Sequence, residues 1–513
     1  NAAGTTTFKH NSSATQTMGT ITGAGDIVKD NVSGRLNVYG IGGPNFRGNV
    51  YLKAGILDVD WYGGRGAGVD GLFADLNHGY LVLDGGQLNF GQDATFSQTF
   101  TLGTNGGTLY GYNANHSWPG TSAINFANPG ARTLTFAASG TYNTPFSFAI
   151  GDQNPTTGKT SVTLTNGAWT LYGANSYSGQ TIVQSGTLTI GKVTASPTGG
   201  LAGFVPSDGA TGMNVATNAV LAVCVGSSAS GYFDSSEIST ILDASHLGAS
   251  TASAGLKDGT IGLDTVNATP DPSFPYVSIP TFVYNGTLTN LANGSPLNLY
   301  KLGWGVLVLN QPSTFTGTIT ITGPNTGGPG YNNEQQFSIV RVGHAQALGA
   351  GHVVFASSPT GQIRFWLDLN GYGVTLSSIN GPGGYGSFGQ GIGNGNVGTT
   401  SVLTLDNTAD CSFLGEIVDK VHPQYAAPYG GTVALIKDGP GTFTLAGGGY
   451  SGGTTIRAGI LRSVAMGGGT DLAMSRSDAV LLRDDLGALV DAFTLARRAR
   501  RVADDPRPSR IQR

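Results

Sequence analysis

Acidic side chains on predicted strands are the residues of this sequence best suited to chemistry. Asp58 and Asp60 lie two positions apart and so share one strand face, while Asp368 and Asp406 lie on other predicted strands. Two carboxylates that flank a glycosidic bond can hydrolyse it, and acidic Ca²⁺ ligands beside a basic residue serve other carbohydrate-active β-helices. The sequence does not show whether these carboxylates converge, so no catalytic residue is assigned.

Other chemistry-bearing patterns fail on their spacing. Segment 151–160 resembles a phosphate-binding loop in composition, but Gln153 lies where the motif requires its first glycine. His344 and His352 have no cysteine nearby, so they do not form a metal signature. No Gly-x-Ser-x-Gly turn joins a predicted strand to a predicted helix. We therefore expect no cofactor, no metal and no enzymatic activity.

The elements available to position side chains are short strands separated by glycine turns, most clearly between Lys437 and Leu461. Residues 442–445 alternate polar and apolar, which is the period of a half-buried strand, and 454–456 and 460–461 are further strand cores. The breaks are only a few residues long, and we expect their glycines to adopt positive φ. A chain that repeats strand and turn in this way coils around a core.

The same pattern occurs in four places, at 36–57, 169–188, 301–321 and 437–461, the first being the loosest. Each copy has an aromatic residue two positions before a glycine, and these pairs recur roughly every 135 residues. We predict that the aromatic side chains pack beside the turn glycines rather than act as platforms for glycans. The pairs are Phe46 and Gly48, Tyr177 and Gly179, Phe315 and Gly317, and Tyr450 and Gly452.

These copies resemble the autotransporter-associated β-strand repeat, a family of secreted and surface proteins of Gram-negative and related bacteria. Its motif runs roughly Lys-x-Gly-x-Gly-Thr-Leu-x-Leu-x-Gly-x-Asn-x-Tyr-x-Gly-x-Thr-x-Ile-x-x-Gly-x-Leu. The copy at 437–461 has Phe443 for the leucine and Gly449 for the asparagine, which the copy at 169–188 keeps as Asn175. The copy at 301–321 departs from the motif at 310–313. The resemblance implies an elongated all-β fold, a right-handed parallel β-helix (β-solenoid), at an extracellular or cell-surface location.

Composition agrees with a folded, turn-rich β-protein. Glycine accounts for 83 of 513 residues, and charged residues for 11%, against about 25% in an average soluble domain. A hydrophobic fraction of 39% argues against disorder, and a net charge of −4 gives no indication of a nucleic-acid partner. Cys224 and Cys411 are expected to be buried, and their separation leaves open whether they pair.

We expect one elongated body of repeat units. The predicted divisions are an N-terminal arm or capping strand at 1–20, solenoid units at 21–160, 161–300 and 301–433, and the start of a fourth unit at 434–470. Inside these units, 235–242 is expected to form a short helix, 269–275 a proline-dense loop outside the ladder, and 381–398 an extended surface loop.

Composition changes after residue 471. From Arg476 to Arg513 the chain has nine arginines, and its apolar residues recur on one face of a predicted α-helix. This Arg-rich helical tail at 471–513 could cap the open end of the solenoid, form a partner or membrane-surface helix, or lie outside the functional body. The apolar residues are Leu482, Leu486, Leu489, Val490 and Phe493.

The function that we expect is structural: a secreted or surface-displayed fibre subunit, spacer or adhesin-like stalk. The ends of a solenoid present complementary unpaired edges, which favours a head-to-tail homo-oligomer in which the arm at 1–20 adds a strand to its neighbour. A glycan-binding or polysaccharide-degrading β-helix, with surface glycans as partners, is the alternative.

The sequence also bears on membranes and processing. No apolar run reaches the roughly 18 residues of a membrane span, so no transmembrane helix is expected. Because the chain starts at Asn1, we expect that a signal peptide has been removed or that the sequence is a fragment.

Overall fold

The computed structural model describes residues 6–8, 15–46, 48–59, 81–90, 94–96, 99–112, 116–139, 143–271, 279–323, 336–357, 363–383, 389–421 and 430–463. Within these ranges the regular structure is β-strand, apart from helix α1 (Ser235–Ile241) and several 3-10 turns. The 3-10 turns lie at Val193–Ala195, Pro197–Gly199, Leu201–Gly203, Ser228–Ser230 and Leu247–Ala249.

The strands are short and follow one another closely. The first are β1 (Thr6–Phe8), β2 (Thr15–Gly23), β3 (Ile27–Phe46), β4 (Val50–Val59), β5 (Leu81–Leu83), β6 (Gln87–Phe90), β7 (Ala94–Thr95), β8 (Thr101–Leu102), β9 (Gly107–Gly111), β10 (His116–Ser117), β11 (Asn125–Phe126), β12 (Arg132–Ala138) and β13 (Asn143–Phe146). The next are β14 (Thr160–Leu164), β15 (Ala168–Leu171), β16 (Gln180–Val183), β17 (Thr187–Ile190), β18 (Gly212–Val215), β19 (Val220–Cys224), β20 (Gly255–Leu256), β21 (Thr260–Asp264), β22 (Thr269–Asp271), β23 (Ile279–Tyr284), β24 (Asn298–Leu302) and β25 (Gly305–Leu309). The last are β26 (Thr318–Ile321), β27 (Gln336–Val342), β28 (His352–Phe355), β29 (Ile363–Asp368), β30 (Val374–Leu376), β31 (Ser378–Asn380), β32 (Gln390–Gly393), β33 (Thr400–Leu405), β34 (Cys411–Val418), β35 (Thr432–Lys437), β36 (Thr442–Gly449), β37 (Thr454–Ile456) and β38 (Ile460–Ser463).

These strands form four extended sheets, with β7 and β10 as a separate pair. Sheet A has 14 strands, in the order β11-β8-β5-β4-β6-β9-β12-β14-β16-β18-β20, with β1, β2 and β3 attached through β4. Sheet B is β13-β15-β17-β19-β21-β24-β26-β28-β31, sheet C is β22-β23-β25-β27-β29-β32-β34-β36-β38, and sheet D is β30-β33-β35-β37.

Consecutive strands alternate between sheets, so the chain winds as a solenoid. From β14 to β21 they alternate between sheets A and B, from β23 to β29 between C and B, and from β32 to β38 between C and D. Apart from β22, the strands pair in parallel with strands of neighbouring coils, as β17 does with β19 and β19 with β21. The prediction of an all-β parallel β-helix is therefore confirmed.

The core is a set of apolar columns in which each inward side chain stacks on its equivalent in the next coil. Every member of the two longest columns is buried, and a fully buried leucine contributes about 1.5–3 kcal/mol. The column in sheet A is Leu36, Leu57, Leu88, Leu109, Phe136, Leu164, Val183, Val215 and Leu256. The column in sheet B is Trp169, Leu188, Leu221, Ile261, Leu299, Ile319, Val353 and Ile379.

Two segments differ from their predicted loops. Thr269–Asp271, predicted to lie outside any ladder, forms strand β22, which pairs antiparallel with β23. Proline is tolerated there because β22 is the edge strand of sheet C. Within the predicted loop at 381–398, Gln390–Gly393 is the buried strand β32. A side chain at Gly391 would overlap the ring of Trp366, so this glycine serves close packing.

The predicted short helix is present as α1. It starts after Asp234, whose carboxylate accepts the N–H groups of Ser236 and Glu237, while the Glu237 side chain accepts the N–H of Asp234. Cys224 and Cys411 are both buried and unpaired. Within the first 23 residues, β1 and β2 pair in parallel with β3. The predicted helical tail at 471–513 lies outside the described residues.

Candidate functional site

The aromatic residue of the motif contacts the residue four places later in two of the copies. Tyr177 is buried, and its hydroxyl lies 2.9 Å from Thr181 Oγ1. In the last copy the Tyr450 hydroxyl lies 2.7 Å from Thr454 Oγ1, at a more exposed position. Burial raises the pKa of Tyr177, so this hydroxyl stays protonated.

The other two copies place apolar residues at both positions. Phe315 is buried, and Ile319 stands four places later. In the first copy the sequence pairs Phe46 with Val50 at the same offset, and the Phe46 side chain lies outside the described structure. The hydroxyl of the aromatic residue and that of its partner are thus present together or absent together.

The motif glycines are fixed by a close approach between coils. At each of the four, a Cβ atom would overlap the backbone carbonyl of the preceding coil, so any other residue would push the coils apart. The glycines and the carbonyls beneath them are Gly48 and Gly25, Gly179 and Thr160, Gly317 and Leu297, and Gly452 and Val433.

The expectation that turn glycines adopt positive φ holds at a different motif glycine. The four glycines of the aromatic–glycine pairs are not in the left-handed region. The glycine two residues before the last motif leucine does lie in the left-handed region. Its φ is 72° at Gly55, 81° at Gly186 and 70° at Gly459. The motif therefore uses one glycine for contact between coils and another for the turn itself.

The motif asparagine joins three consecutive coils. Asn175 is buried, accepts the N–H of Ile150 at 2.9 Å and donates its amide to the carbonyl of Ala195 at 2.6 Å. Ser313 takes this place in the third copy, where its hydroxyl accepts the N–H of Leu288 at 3.2 Å. The substituted turn at 310–313 therefore keeps one of the two contacts between coils.

Among the residues that the structure describes, three lysines are buried at inward-facing strand positions, a feature that the sequence analysis missed. Each ammonium donates to the backbone carbonyl two residues later, which satisfies a turn that lies against the core. The pairs are Lys29 with Asn31 at 2.9 Å, Lys301 with Gly303 at 2.7 Å, and Lys437 with Gly439. The alternation in β35 was an available signal, because Lys437 falls on the same face as Val433 and Leu435.

Lys301 belongs to a buried polar group on sheet B. Burial lowers the pKa of Lys301 to about 7, while the Asp264 carboxylate acts in the opposite direction. Burial raises the pKa of Asp264 and of the Cys224 thiol, with which Asp264 pairs in register. The Tyr172 hydroxyl lies 4.0 Å from Cys224 Sγ. A fully buried thiol with a raised pKa is unreactive, so this group is structural in character.

The carboxylates considered for catalysis are not brought together. Asp368 is buried in β29 and forms an ion pair of 2.7 Å with Arg341 Nε, whereas Asp406 is exposed after β33. Asp60 lies outside the described residues. Within the described part of the chain, no hydrogen bond or ion pair joins any two of Asp58, Asp368 and Asp406.

Asp58 instead lies in a polar group on the outer face of sheet A, here called the Tyr112 cluster: Arg35, Asp58, Gln87, Asn89 and Tyr112. Arg35 Nε lies 3.1 Å from an Asp58 carboxylate oxygen, and Arg35 Nη1 donates to the Tyr112 hydroxyl at 2.8 Å. The Asn89 amide donates to the same hydroxyl at 3.1 Å, and Gln87 donates to Asn89 at 2.7 Å. Tyr112 in turn donates to Asp58 at 3.4 Å.

Burial governs the electrostatics of the Tyr112 cluster. It raises the pKa of Asp58, and the Arg35 guanidinium and the hydrogen bonds from Asn89 and Tyr112 offset part of that rise. Burial raises the pKa of Tyr112 as well, and the charge of Asp58 raises it further.

Among described residues no group of histidine, cysteine and acidic side chains could hold a metal ion. No described helix is long and apolar enough to cross a bilayer.

Comparison with known proteins places this architecture in context. The family model described as the passenger-associated-transport-repeat matches residues 166–190, 299–323 and 435–462. These matches coincide with three of the four predicted copies, and the copy at 36–57 lies outside them. Over 189 residues the chain is 28% identical to the adhesin BmaC autotransporter of Brucella suis biovar 1 (strain 1330). That alignment covers 35% of this chain and 4% of the relative's length.

No solved structure gives a significant match to the chain. The chain is therefore a parallel β-solenoid that matches the passenger-associated-transport-repeat model at three places and is similar, over about a third of its length, to an autotransporter adhesin.

Proposed function

We propose that this chain forms the rod of a secreted or surface-displayed, adhesin-like passenger with a structural function. The observation that carries the proposal is the apolar core, which forms one cluster of described residues from Ile27 to Leu445. Because each coil covers the core of the coil before it, the rod gains length without needing a thicker core. The three matched repeats and the similarity to an adhesin support a surface location.

The motif residues have structural roles in this proposal. The aromatic rings of Tyr177 and Phe315 are buried, which leaves no ring face for a glycan to stack on. The motif glycines next to them set the spacing between coils, because a Cβ atom at any of these glycines would overlap a carbonyl of the preceding coil. The division into units at 21–160, 161–300, 301–433 and 434–470 remains a prediction.

Display on a non-adherent bacterium tests the proposed function. We expect cells that carry the chain to bind a host-cell layer in greater numbers than cells carrying an unrelated β-solenoid of similar length. Electron microscopy of the purified chain at low concentration, before any assembly, should show rods on the order of 100 Å long, at about 4.8 Å per coil. Equal binding by both kinds of cell would contradict the adhesin function, and separate compact globules would contradict the rod.

A head-to-tail fibre is the finer form of the proposal, and its support is the exposure of β37 and β38, the final strands of the described structure. Ile456 and Ile460 are each 56% exposed in β37 and β38. Val183 and Ile321 occupy the position of Ile456 in earlier copies, and each is buried beneath a strand of the next coil. We propose that a second copy of the chain covers these strands, with its own strands added in the same parallel sense.

Sedimentation velocity at rising concentration and electron microscopy test the fibre. Filaments that disappear when residues 1–20 are deleted are the expected result, and dispersed monomers at high concentration would contradict the fibre. Truncation after residue 463 is the control for the tail. If the tail covers the end, the truncated chain polymerises and the full chain does not.

Enzymatic cleavage of a polysaccharide is the competing function for a β-helix of this kind. Incubation with polygalacturonate and other acidic polysaccharides, followed by reducing-end and unsaturated-product assays, distinguishes the two. The proposed structural function predicts no product above that of a heat-denatured sample. Product that is lost in an Asp58→Asn variant would favour the enzyme.

A further inference from the structure

One described surface loop carries two exposed asparagines in the triplet Asn-x-Ser/Thr, where x is not proline. The chain contains six such triplets, and this is the sequence that asparagine-linked glycosylation requires of its acceptor. A chain rich in asparagine, serine and threonine acquires such triplets through its composition, so accessibility in the folded chain has to distinguish them. The asparagines are Asn11, Asn31, Asn115, Asn267, Asn285 and Asn293.

Burial divides the described triplets into two classes. The side-chain nitrogens of Asn31 and Asn267 are buried, so an enzyme cannot reach them in the folded chain. Asn285 and Asn293 are exposed, and both lie in the loop that joins β23 to β24. The remaining two triplets have their asparagines outside the described residues. The accessible triplets of the described structure are therefore together on one loop.

The turn around Asn293 holds its side chain by the oxygen and not by the nitrogen. The oxygen accepts the N–H of Ser295 at 2.9 Å, and the backbone N–H of Leu291 donates to the Ser295 carbonyl at 3.0 Å. Gly294 has φ 83°, and no atom lies within 4 Å of where its Cβ would be, so this side of the turn is open. Among the described residues, neither the Asn293 nitrogen nor the Ser295 hydroxyl makes a hydrogen bond. Both groups that a transferase recognises are thus available.

Asn285 is held on the same loop by different contacts. Its side-chain oxygen accepts the Asn310 amide at 2.8 Å, and its backbone N–H donates to the Ser235 hydroxyl at 2.7 Å. Thr287, which supplies the hydroxyl of this triplet, is exposed. A sugar on the Asn285 nitrogen would leave the oxygen as an acceptor, because an amide keeps its carbonyl when its nitrogen is substituted. The contact with Asn310 in the next coil would therefore survive the modification.

We propose that Asn285 and Asn293 are acceptor sites for asparagine-linked sugar. In the transfer, the side-chain nitrogen bonds to the anomeric carbon of an activated sugar while the bond from that carbon to its pyrophosphate leaving group breaks. The nitrogen releases one proton to a base of the transferase. The partners of the loop are therefore a glycosyltransferase and a sugar donor, either a nucleoside diphosphate sugar or a lipid pyrophosphate sugar. The inference goes beyond the proposed rod and does not depend on adhesion.

Peptide mass spectrometry of the full chain, purified from the cells that naturally produce it, tests the proposal. We expect a sugar on Asn285 and on Asn293, and none on Asn267. Unmodified asparagine at both exposed sites would overturn the proposal, and equal occupancy at Asn267 would overturn the argument from exposure. A chain whose export is blocked distinguishes the two donors. Sugar on the blocked chain indicates a nucleoside diphosphate donor, whereas sugar on the exported chain alone indicates a lipid-linked one.

Incubation of the purified, folded chain with a soluble asparagine glucosyltransferase and UDP-glucose tests the accessibility of the loop directly. Asn285 and Asn293 should each gain a hexose, whereas Asn267 should gain one only after the chain is heat-denatured.

Two variants at one position test recognition of the triplet. Ser295→Ala should abolish the hexose on Asn293 and leave the one on Asn285, while Ser295→Thr, the matched control, should keep both. Thermal melts should be the same for both variants, because the Ser295 hydroxyl makes no hydrogen bond among the described residues. A folded chain that accepts no hexose, or equal labelling of Asn293 in the two variants, would contradict the proposal.

Discussion

The hydroxyl of Tyr177 lies 2.9 Å from Oγ1 of Thr181, inside the core and across the motif glycine Gly179. Tyr450 and Thr454 repeat this contact at 2.7 Å, while Phe315 is followed at the same offset by Ile319. At this motif position the chain thus has either a hydrogen-bonded tyrosine and threonine or two apolar side chains. Both avoid a lone buried hydroxyl, which would be costly.

Removing one hydroxyl of this pair should be worse than removing both. Tyr177→Phe leaves the buried Thr181 hydroxyl unpartnered and should lower the free energy of unfolding by about 1–2 kcal/mol. Adding Thr181→Val should recover part of that loss, because both polar groups are then gone. Urea denaturation of the two single variants and the double variant measures the coupling. Tyr450→Phe, at the exposed copy, is the matched control and should cost less, whereas strict additivity would contradict the pairing.

The motif glycines should tolerate no side chain. Gly179→Ala places a methyl group against the Thr160 carbonyl and should lower the free energy of unfolding by about 1–3 kcal/mol. Gly200 is the control, because its backbone is extended and no atom lies within 4 Å of where its Cβ would be. Gly200→Ala should change stability by less than about 0.5 kcal/mol. Equal melting temperatures for the two variants would contradict the claim that a side chain at Gly179 overlaps the neighbouring coil.

The buried lysine Lys301 should make stability rise with pH just above neutrality. Its pKa is lowered by burial to about 7 from 10.5, so above pH 7 the folded chain releases a proton that the unfolded chain keeps. The unfolded state then binds more protons, and stability increases with pH by at most about 1.4 kcal/mol per unit. Buried thiols and tyrosines with raised pKa values act oppositely at higher pH, so the clean window ends near about pH 8.5.

Urea denaturation across that window, on the native chain and on Lys301→Met, is the measurement. We expect the slope with pH to flatten in the variant. Lys257→Met, at a half-buried position outside the motif turns, controls for the added methionine. A native chain whose stability is flat or falls between about pH 7 and 8.5 would contradict the assignment.

The last coil should control assembly. Ile456→Lys and Ile460→Lys place charges on the exposed strands β37 and β38 and should abolish filaments while leaving the melting temperature of the monomer unchanged, since both side chains are already more than half exposed. Val397→Lys, at an exposed residue away from the end, is the control and should polymerise as the native chain does. Light scattering and electron microscopy report the result. Filaments that persist in both isoleucine variants would exclude this end as the interface.

Much of the fold follows from local periodicity. Alternation of period 2 places Val433, Leu435 and Phe443 on the inward face of their strands, independently of which strand lies in the next coil. Glycine turns separate these strands in the sequence. The short helix was predictable for the same reason, since its capping box lies within four residues. The two incorrect loop predictions came from composition alone, because neither the edge position of β22 nor the Trp366 ring beside Gly391 is visible in the local sequence.

The sequence by itself determined that the chain winds, where the motif turns fall and which faces are apolar, because these are properties of neighbouring residues. Only the tertiary structure decided which residues meet across coils. The coil from Leu57 to Leu88 is longer than the one from Leu36 to Leu57, so no fixed spacing predicts that Arg35, Asp58 and Tyr112 come together. Contacts across coils depend on the stacking register, and the register is set by the pairing of whole strands rather than by any local pattern.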